Sequence, residues 1–319
     1  MSTATYTELK IIRRPMTSYK KYYLNSATAA MGTIDTDTQY RRLTRLRTEC
    51  QKRIASGKKL SNLGTRDFVI SKHYRFLYCP VAKVAEANWK RVIMVLEGTA
   101  NTTQELHHSR VLGKDGRFYQ TIKDAGKEFD DFVKFLFVRH PFKRLLSAYR
   151  NKFENPDEWG LIYPKNYGRS IIKKYRPKAT NSSLQTGNDV TFSEFVKYVL
   201  DESDREPEGL NMHWLPMYLS CDVCSRRFNF IGKFETLHND AKHLLQKIHA
   251  TNVVEFPESE SCATHVTNSS KEETYHSYFK ELTQGEIRKL YKLYRPDFKM
   301  FGYNFPYELL DNKNNSSAS

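Results

Sequence analysis

The chain has no long hydrophobic run: nothing in its 319 residues approaches the roughly 18 consecutive apolar residues that span a bilayer. Its first ten residues, MSTATYTELK, lack the apolar core of a signal peptide. Cysteine is scarce. The five present, Cys50, Cys79, Cys221, Cys224 and Cys262, are an odd number and too few for a disulfide scaffold. Cys221-x-x-Cys224 is half of a zinc pattern that no second CxxC or spaced histidine pair completes, so a local disulfide or two packed thiols is the expected state. The GxxxxGK[ST] loop of nucleoside-triphosphate enzymes is missing, as is a carboxylate pair for a metal, which argues against a kinase-like phosphate transferase. No RNA- or DNA-binding motif is present, so nucleic acid ranks last among partners.

What the chain does carry is an ordinary globular composition, 39% apolar, 27% charged and 13% aromatic, with a net charge of +15. That charge is uneven. Residues 1–66 hold 14 Lys/Arg against 4 Asp/Glu, a surplus of +10, which leaves +5 for the rest. A basic segment of this kind suits an anionic membrane or polymer. Residues 1–66 therefore read as a largely irregular basic tail or stem with one basic helix near 41–54. Residues 67–311 read as the folded domain and 312–319 as a disordered tail. Sequons at Asn101, Asn181, Asn268, Asn314 and Asn315 lean towards the secretory route.

The domain is organised around residues 134–153, KFLFVRHPFKRLLSAYRNKF. Phe135 to Val138 form an apolar, aromatic run that reads as a buried strand. Pro141 has its φ preset for a first helical turn. Phe142, Leu145, Leu146, Tyr149 and Phe153 then recur at helical spacing, with Lys143, Ser147, Arg150 and Asn151 on the polar side. Strand, turn and helix, with Arg139 at the turn and Ser147 on the helix, make a phosphate site, because a helix start offers N–H donors and a positive dipole end. A basic amphipathic helix packed on a sheet explains the same residues. Residues 74–81 are a second strand candidate. They lead through a loop holding Lys83 into a helix that buries Trp89, Val92, Ile93 and Leu96. Lys83 is either a phosphate ligand or a solvated loop lysine. Between the two units lies His107-His108, and a histidine near such a site is a candidate general base or an ordinary surface residue.

Further on, residues 159–179 are basic and aromatic, with a helical core at 169–175 suited to an acidic polymer. Thr191-Phe-Ser-Glu194 resembles a capping box that opens a helix over 195–200, followed by an acidic loop over 201–209. A strand is expected over 227–231, a helix over 236–249, and a last helix over 283–294 that closes at Arg295-Pro296. Strands alternating with helices predict an α/β fold with a mostly parallel sheet and a ligand beyond the carboxyl ends of its strands.

Together these segments resemble the Golgi carbohydrate sulfotransferases of the chondroitin/dermatan 4-O- and HNK-1 group, from about Tyr74 to Tyr303. KFLFVRHPFKRLLSAYRNKF looks like the family's 3′-phosphate segment, and YCPVAKVAEANWKR like its 5′-phosphosulfate loop. YGRSIIKKYRPKAT, HWLPMYLSCDVCSRRFNFIGKFETL and LYKLYRPDFKMFGY follow in family order. The block that starts at Tyr167 and the block that starts at His213 look most like the chondroitin 4-O-sulfotransferases. The resemblance implies a P-loop-like sulfotransferase fold and a sulfuryl donor, 3′-phosphoadenosine 5′-phosphosulfate, with no metal. It also implies a glycosaminoglycan or glycoprotein glycan as acceptor and a place at the Golgi membrane or lumen. It carries donor contacts to Lys83, Val84, Asn88, Trp89, Arg139, Pro141, Arg144 and Ser147, and the catalytic roles to Lys83 and His108. The chain departs from the family at Ala82 (Pro), Glu86 (Cys) and Ala87 (Thr). A lost hydroxyl and an added carboxylate near an anionic donor open the alternative of a weak or inactive homologue that still binds donor or glycan.

Overall fold

A computed structural model of the chain describes residues 33–57, 67–104, 111, 120–122, 127–156, 161–258 and 267–311. His108, Cys262 and residues 312–319 lie outside them. The chain divides into two compact units, Met1–Thr38 and Gln39–Ser319. Of the first, only the opening of helix α1 (Thr33–Ala55) is described. The second holds the sheet and the remaining helices.

Among the described residues, five strands form one sheet in the order β3-β1-β2-β4-β5. They are β1 (Phe68–Ser71), β2 (Phe76–Cys79), β3 (Gln120–Ile122), β4 (Val133–Val138) and β5 (Phe230–Lys233). β2, β4 and β5 pair parallel, β1 runs antiparallel to both of its neighbours, and so four of the five strands point the same way. β1 and β2 are buried along their whole length, and β4 from its second residue onward. Continuous apolar strands are what a sheet covered on both faces requires. Gly232 of β5 is dictated by packing, because a Cβ there would lie 2.1 Å from the Phe137 ring of β4. Gly232→Ala is expected to destabilise the protein by about 1–3 kcal/mol or more through overpacking, read as a lower urea midpoint with an unchanged slope.

The helices that build the rest of the unit, among the described residues, are α2 (Glu86–Leu96), α3 (Pro141–Tyr149), α4 (Arg169–Tyr175), α5 (Asn181–Thr186), α6 (Phe192–Arg205), α7 (Met217–Ser220), α8 (Leu237–Lys247), α9 (Glu272–Phe279) and α10 (Gln284–Phe301), with a last short turn of helix, α11 (Glu308–Asp311). Trp89, Val92 and Ile93 of α2 and Ala241, Leu244 and Leu245 of α8 share one core with the sheet. The apolar face of α3 packs with α4, α6, α9 and α10 in a second, all-helical core around Phe153, Phe195 and Trp214. Capping boxes open α6 at Thr191/Glu194 and α10 at Thr283/Glu286.

Several expectations change. The folded unit reaches back to Gln39 rather than 67, because Leu43, Leu46 and Cys50 of α1 are buried in the sheet core. Arg42 also donates to the Ile231 carbonyl and to Asp240, both at 2.8 Å. β5 begins three residues later than expected, since Arg227 takes a left-handed turn (φ 42°). β2 is shorter than expected at its start, with Arg75 also left-handed (φ 51°). α6 runs on to Arg205 through the expected acidic loop. α10 continues through Pro296 to Phe301. An internal proline costs about 3 kcal/mol, but Asp297, Phe298, Met300 and Phe301 beyond it are all buried. Asp297 accepts the backbone N–H groups of Met217 and Tyr218 at 2.8 and 2.9 Å.

The cysteine expectation is overturned. Cys221 and Cys224 are each in a disulfide, but not with one another: Cys50 pairs with Cys224 and Cys79 with Cys221. The two sulfurs of the CxxC point to different partners, α1 and the end of β2.

Candidate functional site

β2 and β4 are adjacent and parallel, with Cys79 opposite Leu136, so the turns beyond their carboxyl ends emerge side by side. That is where an open α/β sheet presents its ligand. The turn after β2 holds Lys83, and the turn after β4 begins at Arg139. The structure brings them into contact: Arg139 Nη1 donates to the Lys83 carbonyl at 3.1 Å.

The Lys83 turn is strained. Lys83 (φ 69°) and Ala85 (φ 53°) both take the left-handed conformation without being glycine. Each such residue costs about 1–3 kcal/mol and persists only where its surroundings over-determine it. Here the surroundings are specific. Arg144 Nε donates to the Ala82 carbonyl at 2.9 Å, Arg139 takes the Lys83 carbonyl, and the Cys79–Cys221 disulfide anchors the strand end just upstream. Lys83 Nζ donates to Asn151 Oδ1 at 2.8 Å. Asn151 lies in a π-helical turn, Arg150–Glu154, that continues α3. The strained turn delivers the chain into α2, whose start carries no side-chain cap at Ala85. An uncapped helix start favours an anion.

The Arg139 turn is clamped differently. His140 caps α3 and accepts the Lys143 N–H on Nδ1 at 3.5 Å, with Pro141 in the first turn. The His140 N–H donates to Glu235 Oε1 at 2.7 Å, and Glu235 Oε2 accepts the Tyr303 hydroxyl at 2.8 Å. Arg139 is 4% exposed and stacks on Phe234, its guanidinium carbon 4.1 Å from the ring centre. Burial lowers its pKa to about 10, opposed by Glu235, so it stays cationic at neutral pH. Nη2 donates to Ser269 Oγ at 2.8 Å and Ser270 Oγ at 2.7 Å. Nε is buried without a hydrogen-bond partner. A buried guanidinium with an orphaned N–H among hydroxyls has the donor set for a phosphate. Ser147 Oγ joins the same group through Thr267 Oγ1 at 3.2 Å.

His140 gives the site a pH dependence. Its pKa falls to about 4, first through burial and then through the Lys143 charge. An unfolded histidine titrates near 6.5, so the folded state resists protonation. The resulting stability is complete above about pH 6.5 and is lost as pH falls towards 4, by up to about 3 kcal/mol. His140→Asn keeps a capping side chain without the titration, and its melting temperature should fall less steeply than that of the parent chain between those pH values.

The other expected donor contacts are placed as follows. Val84 and Pro141 are buried in the two turns. Trp89 is a core residue, packed against Tyr78, Phe135, Phe137 and Phe256. Asn88 Oδ1 accepts from Arg91 at 2.9 Å. The Arg144 guanidinium donates to the carbonyls of Ala82, Leu215 (2.8 Å) and Met212 (3.0 Å), which ties the Lys83 turn to the segment ahead of α7. Glu86, the departure that threatened an anionic ligand, is paired with Lys90 at 2.9 Å. His108 lies outside the described residues. On the basic segment, Lys174 is tied to Asp201 and Arg176 to Asp189 and Glu194, whereas Lys165, Arg169, Lys173 and Lys178 are exposed. Sequence reasoning missed Phe234, Glu235 and the Thr267–Ser270 hydroxyls, which reach Arg139 from far along the chain. The only sequence signal for the hydroxyls was the sequon at Asn268.

A family model described as the sulfotransferase family matches residues 66–304. Among curated proteins, the chain is 36% identical over 276 residues to carbohydrate sulfotransferase 8 of Mus musculus, covering 85% of this chain and 64% of that protein. It is 38% identical over 242 residues to carbohydrate sulfotransferase 14 of Danio rerio (75% and 62%). It is 34% identical over 267 residues to carbohydrate sulfotransferase 11 of Mus musculus (81% and 73%). The chain thus spans less than two thirds of the length of the first two. No solved structure matches it.

Proposed function

The chain belongs to the sulfotransferase family, and on that premise we propose that it moves a sulfuryl group from 3′-phosphoadenosine 5′-phosphosulfate to a sugar hydroxyl of a chondroitin- or dermatan-type glycosaminoglycan or related glycan. The observation that carries this reading is the contact between the Lys83 and Arg139 turns, which brings the residue bearing the amine and a buried guanidinium together at one end of the sheet. A nucleotide with charge at both its 3′ and 5′ positions needs two cationic grips at a fixed separation. Arg139 and Ser147 hold the 3′-phosphate and set the register. Lys83 stabilises the charge that develops between sulfur and the leaving phosphate oxygen. The new bond forms between the acceptor oxygen and sulfur as the bond from sulfur to the phosphate oxygen breaks. The acceptor proton passes to His108 as base, and adenosine 3′,5′-bisphosphate leaves. The exposed Lys165, Arg169, Lys173 and Lys178 attract the polyanionic acceptor, more weakly in salt.

The chain works at the Golgi membrane or in its lumen on this reading, although no helix among the described residues is long and apolar enough to cross a membrane. The pairing of Glu86 with Lys90 favours an active enzyme over a silent one. Incubation with radiolabelled donor and desulfated chondroitin tests the proposal. Label in the polysaccharide, lost in Arg139→Ala, supports it; donor binding without transfer to any desulfated glycan supports the silent form instead. His108→Ala should stop transfer. His213 is the control: its Nδ1 is engaged by Asn211 Oδ1 at 2.8 Å and by the Tyr163 hydroxyl at 3.0 Å. Loss of transfer in His213→Ala but not in His108→Ala would move the base role to His213.

A further inference from the structure

The segment Thr267–Ser270 comes from neither nucleotide-binding turn, yet it supplies the hydroxyls that surround Arg139. The left-handed backbone at Asn268 (φ 48°) bends the chain so that Thr267 Oγ1 and Ser269 Oγ meet at 3.0 Å. Thr267 reaches Ser147 at 3.2 Å, and Arg139 Nη2 reaches Ser269 and Ser270 at 2.8 and 2.7 Å. One row of hydroxyls therefore links the arginine of β4's turn to the serine of α3.

The direction of these bonds matters. A guanidinium only donates, so Ser269 and Ser270 accept from it with an oxygen lone pair and keep their own protons to give. Accepting from a cation polarises a hydroxyl and makes it a stronger donor. Arg139 is almost fully buried, and its Nε is the nitrogen of the group without a partner. The Nη2 side of the group thus acts on an anion through the serines. Ser270 is exposed and Thr267 half-buried, on the open side of the row. Two neighbouring carboxylates are already occupied: Glu235 by His140 and Tyr303, and Glu272 by Lys143.

We propose that Thr267, Ser269 and Ser270 form a third donor-binding element, whose hydroxyls, oriented by Arg139, hydrogen-bond the 3′-phosphate of the sulfuryl donor and of the spent nucleotide. This rests on the sulfotransferase reading above. It is tested on the full chain by titrating adenosine 3′,5′-bisphosphate and adenosine 5′-phosphate into the parent protein and into Thr267→Val/Ser270→Ala, a pair chosen to spare the buried Ser269. The parent protein should prefer the bisphosphate. The double variant should bind it about tenfold or more weaker, the order expected for lost hydrogen bonds to a charged oxygen, with unchanged affinity for the monophosphate and an unchanged melting temperature without ligand. A double variant that keeps the parent's preference overturns the inference and leaves the donor site at Arg139 and Ser147 standing. A parent protein without any preference overturns both. If both nucleotides weaken equally in the variant, the segment shapes the pocket rather than reading the 3′-phosphate, and the inference fails.

Discussion

Lys83→Ala is expected to slow sulfuryl transfer by about 100- to 1000-fold while leaving the spent nucleotide bound nearly as tightly as before. The asymmetry follows from where the two cations sit. Arg139 is buried, stacked on Phe234 and surrounded by hydroxyls, a grip that exists before any reaction begins. Lys83 projects from a strained turn and is steadied through Asn151 at 2.8 Å, so its amine is aimed rather than buried in a network of carbonyls. An interaction that strengthens only as charge develops lowers kcat without a matching change in ground-state affinity. Arg139→Ala should show the opposite signature, with donor affinity failing first. Steady-state transfer with radiolabelled donor, paired with titration of adenosine 3′,5′-bisphosphate, separates the two. If Lys83→Ala loses nucleotide affinity as steeply as it loses rate, the lysine is a binding residue, and the assignment of developing charge to it falls. Lys83→Arg is not expected to rescue, because a planar guanidinium fork does not place its charge where a compact ammonium sits beside the Asn151 amide oxygen.

The two turns were legible in the sequence because each is local. A short aromatic strand, a break and an amphipathic helix lie within about twenty residues, and the parallel pairing that brings the breaks together follows from strands alternating with helices. The capping box at Thr191/Glu194 was legible for the same reason, three residues apart. The parts that hold the site in shape were not local. Ser269 meets Arg139 across 130 residues, and Glu235 meets His140 across 95. Nothing in a hydroxyl-rich sequon says which arginine it will face. Helix α1 reads as a tail because its surface is dense with arginine, while only Leu43, Leu46 and Cys50 carry the burial that fixes it to the core. Pro296 signalled a stop that tertiary packing overrode, since Asp297 beyond it is fully buried and satisfies two backbone donors of α7.

The disulfides carry the second large effect, and they are expected to differ in what they protect. Their sequence separations are 174 and 142 residues, and closing either loop alone restricts the unfolded chain by about 5 kcal/mol on the chain-entropy account. They are nested, however. With one in place, the ring still to be closed is made of the segments 50–79 and 221–224, about thirty residues, so removing either one costs about 4 kcal/mol. For a unit of this size that lowers the melting temperature by roughly 10 °C, for Cys50→Ala/Cys224→Ala and for Cys79→Ala/Cys221→Ala alike. Activity should part them. Cys79 ends β2 only four positions ahead of Lys83, and its partner follows α7, whose start Asp297 fixes. Without that bond, the left-handed backbone at Lys83 and Ala85 keeps its contacts with Arg139, Arg144 and Asn151 but loses the covalent anchor of the strand that enters it, and a turn that stores strain relaxes when its anchors thin out. Assayed well below both melting temperatures, the Cys79/Cys221 variant should lose most of its kcat, whereas the Cys50/Cys224 variant should keep it. Equal specific activity in the two variants would mean that the arginines suffice to hold the turn, and that both crosslinks serve stability alone.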